Sequence, residues 1–314
     1  LMLFQVGGLR MHASLPNGIY PPLPTFFTAQ EELDLPTLRR HMERLVDSGI
    51  AGYVLLGSNG EAVHLSEEER ELVVVTAREV VPQGEDQLPL IVGCGAQSTR
   101  MTLAYCRQAA RAGADMVLIL PPSYYKSRMS NAALLAHYRA IADQSPLPVL
   151  IYNMPGSSAG LDLDANTVCA LAEHPNIVGV KDSSGNVIKL AEIVANVSPD
   201  FRVLAGSADF FLPALAIGAT GTISALANIF PHEVCLLQAL FEAGELEEAR
   251  VLQAQLIPAN AGVTSRFGVA GLKAALQFVC GYGGVPRLPL LPLSDGERTQ
   301  LIEILKRFPQ DETV

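Results

Sequence analysis

Short apolar runs alternate along the chain with stretches in which apolar residues recur every three or four positions. The runs lie at 18–27, 53–56, 90–92, 116–120, 148–152, 177–180, 202–204 and 221–225. Most are continuously apolar, the pattern of strands buried on both faces of a parallel sheet. Between them, Leu35, Leu38, Met42, Leu45 and Val46 fall on one helical face, and Gly49 marks the end of that helix. Ser66-Glu67-Glu68-Glu69 reads as a capping box that opens the next. Further helices are expected over 99–112, around 134–141, and over 164–173, 190–197 and 212–217. Eight strands alternating with helices, at spacings of about 20–35 residues, predict an α/β chain folded as a (β/α)8 TIM barrel.

After Pro231 the strand pattern stops. Helices are expected at 234–243, 246–261 and 267–280, with a last one after Ser294-Asp295. The expected organisation is an N-terminal extension over 1–17, a barrel over 18–230 and a C-terminal helical region over 231–314.

Composition adds limits to this picture. The 314 residues are 49% hydrophobic and only 17% charged, which supplies a large core. The net charge is -10 with no block of lysine and arginine, which argues against nucleic-acid and anionic-membrane partners. No apolar run reaches membrane-spanning length. Cys94, Cys106, Cys169, Cys235 and Cys280 are dispersed and lack C-x-x-C spacing, which fits a reducing compartment. Residues 1–16 hold a single Arg10 and do not read as a secretory or mitochondrial leader. A cytoplasmic setting is expected, or a mitochondrial one if a leader has been removed.

In such a barrel the reactive groups gather at the C-terminal ends of the strands. Those ends carry Ser58 and Asn59, Tyr124 and Tyr125, Tyr152, Lys181 and Ser183, and Gly206 and Ser207. Each has an ordinary reading by itself. A lysine closing an apolar strand usually snorkels to water. Tyr152 can be core, Gly57-x-x-Gly60 can be a tight turn, and Tyr124-Tyr125 can be packing at a subunit contact. Asp182 follows Lys181, so in a strand it faces the other way and reads as structural.

Taken together, one lysine, a tyrosine, hydroxyls and glycine-flanked amides suit imine chemistry. A partly dehydrated amine attacks a ketone, the protonated imine draws electrons, and a carbon–carbon bond two atoms away breaks or forms. A nearby tyrosine can relay the proton. No pair of carboxylates stands with them. The six histidines, His12, His41, His64, His137, His174 and His232, show no pairing at ligand spacing, so no metal site is expected.

Five motifs carry a resemblance. They are Gly57-Ser58-Asn59-Gly60-Glu61, Pro122-Ser123-Tyr124-Tyr125, Tyr152-Asn153-Met154-Pro155, Gly179-Val180-Lys181-Asp182-Ser183 and Leu204-Ala205-Gly206-Ser207. From residue 18 to residue 292 the chain resembles the dihydrodipicolinate synthase/N-acetylneuraminate lyase family of class I, pyruvate-dependent aldolases. The resemblance implies that Lys181 forms the Schiff base, with no metal and no other cofactor. It implies that Tyr152 shuttles protons and that Tyr125 supports Tyr152 across a subunit contact. Ser58 and Asn59 would hold the carboxylate of a small 2-oxo acid, and Gly206 would offer its carbonyl near the substrate. A homotetramer, a dimer of dimers, is implied as well.

Departures within the family narrow the reading. Dihydrodipicolinate synthases usually place an arginine shortly after the Tyr-Asn-x-Pro motif, whereas residues 156–160 here are Gly-Ser-Ser-Ala-Gly. 4-Hydroxy-tetrahydrodipicolinate synthesis is therefore disfavoured. Ser58-Asn59, the Ser-Arg-Met-Ser at 127–130 and the stretches 174–179 and 204–208 resemble 4-hydroxy-2-oxoglutarate aldolases of eukaryotic type. The stretches 24–27, 60–65 and 121–125 resemble fungal 3-deoxy-hexulosonate aldolases. The distal half of the substrate would meet Ser157, Ser158, Ser183 and Ser207.

The expected activity is reversible cleavage of a 4-hydroxy-2-oxo acid to pyruvate and an aldehyde. 4-Hydroxy-2-oxoglutarate is the first choice and a 2-keto-3-deoxy sugar acid the alternative. A catalytically silent relative that binds a 2-oxo acid is the non-enzyme alternative. A phosphate-handling barrel isomerase would need glycine-rich loops after strands seven and eight, and Gly206 alone is a poor match.

Overall fold

The computed structural model describes residues 15–81 and 88–308. The expected N-terminal extension over 1–17 thus lies, up to residue 14, outside the described residues. The strands are β1 (Gly18–Ile19), β2 (Tyr53–Leu55), β3 (Leu90–Gly93), β4 (Met116–Ile119), β5 (Val149–Asn153), β6 (Ile177–Asp182), β7 (Arg202–Ala205) and β8 (Gly221–Thr222). Each is followed by a helix: α1 (Leu35–Val46), α2 (Glu67–Val80), α3 (Thr99–Arg111), α4 (Asn131–Gln144), α5 (Ala165–Ala172), α6 (Val187–Asn196), α7 (Phe211–Ala216) and α8 (Pro231–Glu242). Three more helices come after, α9 (Leu246–Val263), α10 (Gly268–Cys280) and α11 (Asp295–Leu305).

All strand pairs are parallel, from β2 through to β8 in chain order, and β8 pairs with β1. The ring closes through a parallel bridge between Pro22 and Val54. There the Leu23 N–H donates to the Val54 carbonyl at 2.8 Å, and the Val54 N–H donates to the Pro21 carbonyl at 3.1 Å. The expected eight-stranded barrel is what forms. Its first strand is shorter than the apolar run at 18–27, because Pro21, Pro22 and Pro24 have no N–H to give a ladder.

The continuous apolar runs serve two cores. Val54, Ile91, Leu118, Leu150, Tyr152, Leu204 and Ile223 cluster inside the barrel. Tyr53, Leu55, Val92, Val117, Ile151, Val180 and Val203 pack outward against the helices. Helix starts follow local chemistry. The side chains of Asp34, Ser66, Ser98, Ser130 and Asp164 each accept the N–H of the residue three positions on. Among the described residues no helix is long and apolar enough to cross a membrane. All five cysteines are free.

Candidate active site

The register of β5 and β6 builds the centre. Leu150 pairs with Gly179, Tyr152 with Lys181 and Asn153 with Asp182, after a shift that leaves Val178 without a partner. Gly179 is required at this crossing, since a Cβ there would come within 2.4 Å of the Arg202 carbonyl oxygen. Alternation along the strands then sends Tyr152 and Lys181 inward and Asn153 and Asp182 outward. The Lys181 Nζ lies 4.1 Å from the centroid of the Tyr152 ring. Both side chains are buried, each with 5% of its surface exposed.

Asp182 is fully committed on the other side. Its carboxylate takes hydrogen bonds from Asn153 Nδ2 (2.8 Å) and from the Ser184 N–H (2.8 Å) and hydroxyl (2.5 Å), and it pairs with Lys189 Nζ at 2.8 Å. Asp162 shares both Lys189 and Asn153, each at 2.6 Å. This network ties the ends of β5 and β6 to the start of α6.

Tyr152 and Lys181 open onto a cavity of about 620 Å³, which Ser58, Asn59, Ser157, Ser183, Gly206 and Ser207 also line. Ser58 Oγ is 3.3 Å from the Tyr152 hydroxyl and 3.5 Å from Ser157 Oγ. Ser183 donates to the Gly206 carbonyl at 3.4 Å, and the Gly206 N–H donates to the Asp182 carbonyl at 2.7 Å. Seven of the eight site residues named from the sequence therefore meet around one space.

The eighth, Tyr125, is 69% exposed and does not line the cavity; it stands edge-on to Tyr124 with ring centroids 5.0 Å apart. Ser158 does not line the cavity either. It is fully buried beneath the 156–160 turn. A smaller cavity of about 240 Å³ flanks Tyr152 on the side of β2 to β4, between Ser58, Val63, Gly95 and Leu120.

The 57–61 loop is anchored from far along the chain. Glu61 is buried in a left-handed conformation with φ 50°. Its carboxylate takes Lys273 Nζ at 2.6 Å, the Arg287 N–H at 2.9 Å and His64 Nδ1 at 3.1 Å. Burial pulls the pKa of Lys273 below its usual range, and the Glu61 carboxylate opposes that shift. Lys273 and Arg287 both sit over the face of Phe27, at 4.4 and 4.2 Å.

Lys273 belongs to α10, whose first turn, Gly268 to Ala270, lines the cavity together with Thr264, Ser265 and Leu290. The C-terminal helices thus supply one wall. The sequence reading missed that wall and also Asp209, a carboxylate at the cavity. One signal was available: Lys273 interrupts an apolar helical stretch as Lys181 interrupts an apolar strand.

Among the described residues no three His, Cys, Asp or Glu side chains stand together as a metal ion would need. Residues 15–308 match the Dihydrodipicolinate synthetase family. The chain belongs to this family. It is a lyase of the class I aldolase type. It is 47% identical over 287 residues to the Emericella nidulans protein named "Probable 4-hydroxy-2-oxoglutarate aldolase, mitochondrial", covering 91% of this chain and 93% of that one. It is 39% identical over 300 residues to the L-threo-3-deoxy-hexylosonate aldolase of Hypocrea jecorina, covering 92% and 95%. Among solved structures it resembles a prophage protein of E. coli K12 from the dihydrodipicolinic acid synthase family, determined in complex with pyruvate. That likeness has a TM-score of 0.84 and 32% identity, and covers 93% of this chain and 98% of that one.

Proposed function

We propose that this family member reversibly cleaves a 4-hydroxy-2-oxo acid to pyruvate and an aldehyde through an imine on Lys181. The leading substrate is 4-hydroxy-2-oxoglutarate, which yields glyoxylate. The observation that carries the reading is the buried Lys181 amine packed on Tyr152 in the wall of the cavity.

The Lys181 amine adds to the C2 carbonyl, Tyr152 gives its phenolic proton to the departing hydroxyl and water leaves, which gives a protonated imine and a Tyr152 phenolate. The Tyr152 phenolate takes the proton of the C4 hydroxyl, the C3–C4 bond breaks, and its electrons move to the imine nitrogen. The aldehyde departs. The remaining enamine is protonated at C3 and hydrolysed to pyruvate and free Lys181. Ser58 and Asn59 hold the C1 carboxylate, next to the Tyr152 hydroxyl. Gly206 offers its carbonyl, and Ser183 and Ser207 meet the distal half.

Tyr125 acts in a neighbouring subunit of a homotetramer. Its exposure on this chain and the small cavity beside Tyr152 both support that arrangement.

The second reading, a 2-keto-3-deoxy sugar acid, is favoured by Asp209. A carboxylate in the cavity lining would accept hydrogen bonds from a polyol and repel a second carboxylate. One experiment tests the chemistry and another the choice. Borohydride added with pyruvate should fix one reduced pyruvate on Lys181, and a folded chain that gains none overturns the reading. Pyruvate release measured on 4-hydroxy-2-oxoglutarate and on L-threo-3-deoxy-hexulosonate decides between the substrates.

A further inference from the structure

Asn260, on α9, has no exposed surface and is not used by the chemistry above. Its Nδ2 donates to Ser207 Oγ at 2.8 Å and to Thr264 Oγ1 at 3.3 Å. Its Oδ1 accepts the Ala208 N–H at 3.4 Å. The Thr264 hydroxyl gives its own hydrogen to the Asn260 carbonyl, at 2.6 Å. These partners allow one orientation of the amide. Turned over, the NH2 group would face the Ala208 N–H, donor against donor.

Ser207 therefore accepts from Asn260, and its single hydrogen is left to point elsewhere. Among the described residues it has no other hydrogen-bond partner, and it lines the cavity. We propose that Asn260 is a positioning residue which holds Ser207 as a hydrogen-bond donor toward the oxygens at the distal end of the substrate. Selection of the aldehyde half is then set from the C-terminal helices, while the pyruvyl half is held by strands and loops of the barrel. A donor serves a carboxylate best, because a hydrogen bond to a charged acceptor is the stronger kind. A serine held the opposite way would turn its lone pairs toward that oxygen. The inference rests on the aldolase reading and deepens it.

A double-mutant cycle tests it. In Asn260→Asp one carboxylate oxygen still takes the Ala208 N–H, and the other takes the Ser207 hydrogen, which reverses the serine. kcat/KM for 4-hydroxy-2-oxoglutarate, or for L-threo-3-deoxy-hexulosonate if that is what the chain cleaves, should fall about 10- to 100-fold, mostly through KM. Borohydride trapping of pyruvate on Lys181 should stay at the wild-type level. In a Ser207→Ala background, Asn260→Asp should add almost nothing.

An equal fall in both backgrounds would mean that charge or packing is responsible, and it overturns the proposal, as does no fall at all. If Asn260→Asp does not fold, Asn260→Ala in the same two backgrounds carries the comparison, with a smaller fall that again requires Ser207. If the wild-type chain traps no pyruvate, the aldolase reading fails. If it traps pyruvate and the cycle shows no coupling, only the inference fails.

Discussion

Tyr152 and Lys181 stand opposite one another in neighbouring parallel strands, the amine 4.1 Å from the ring centroid. Backbone pairing sets this relationship, and the Asn153, Asp182 and Lys189 network holds it from behind. The two side chains are thus carried on rigid elements.

Lys181→Ala should abolish pyruvate trapping and all cleavage. Tyr152→Phe keeps the ring under the amine and removes only the hydroxyl. It should lower kcat about 10²- to 10⁴-fold while still allowing imine formation. Mass spectrometry of the reduced adduct, alongside turnover, separates the two effects. Full activity in Tyr152→Phe would rule out the proton relay.

The Glu61–Lys273 pair has no exposed side-chain surface on either partner. Lys273→Met strands a buried carboxylate and should cost about 3–5 kcal/mol in urea unfolding. Glu61→Gln combined with Lys273→Met should cost less than Lys273→Met alone. At a urea concentration where Lys273→Met is still folded, its KM for the oxo acid should rise, because the Ser58-Asn59 loop has lost its anchor.

Two buried histidines make the fold sensitive to acid. His41 sits between the Tyr282 hydroxyl and Asn228 Oδ1, each at 3.0 Å. Burial and the Arg44 charge bring its pKa down to about 3. Burial alone brings His137 down to about 4. Both folded values lie below the ordinary 6.5, so the unfolded chain binds more protons below that pH. Their contribution is complete above pH 6.5 and is lost as the pH falls toward about 4 and then about 3. The urea midpoint should therefore drop between pH 7 and pH 4.5, and His137→Gln should make that drop shallower.

Gly206→Ala tests the close approach of two strand ends. A Cβ there would lie 1.9 Å from Ser183 Oγ and 2.7 Å from Ser183 Cα. Ser183 must leave its place in the cavity lining, so cleavage should be largely lost, with a stability cost of about 1–3 kcal/mol by thermal or urea unfolding.

The barrel and most of its mouth were legible in the sequence because both rest on local signals. Buried strands show as apolar runs, capped helices show their Ser and Asp starts, and each candidate side chain stands at or just past the end of a run. Where proline breaks a run, as at residues 21, 22 and 24, the length of the strand could not be read. Ser157 and Ser158 look alike in the chain, yet only Ser157 faces the cavity, since the turn between Pro155 and Gly160 decides which one is buried. Asn260, Lys273 and Asp209 were missed for a different reason. The partners of Asn260 and Lys273 lie across tertiary contacts, Asp209 meets the cavity only once the chain is folded, and a buried Asn on a helix carries no periodic mark of what it touches.

The distance along the chain between Glu61 and Lys273, 212 residues, also bears on how the protein is made. A ribosome delivers Lys181 and Tyr152 well before the helices that hold Glu61 and hydrogen-bond Ser207. If Lys181 is the imine-forming residue, a chain without those helices would carry its amine in a site with one wall absent, open to water and to any carbonyl compound. On the proposed reading, synthesis of the last helices would be the step that makes the Lys181 amine selective.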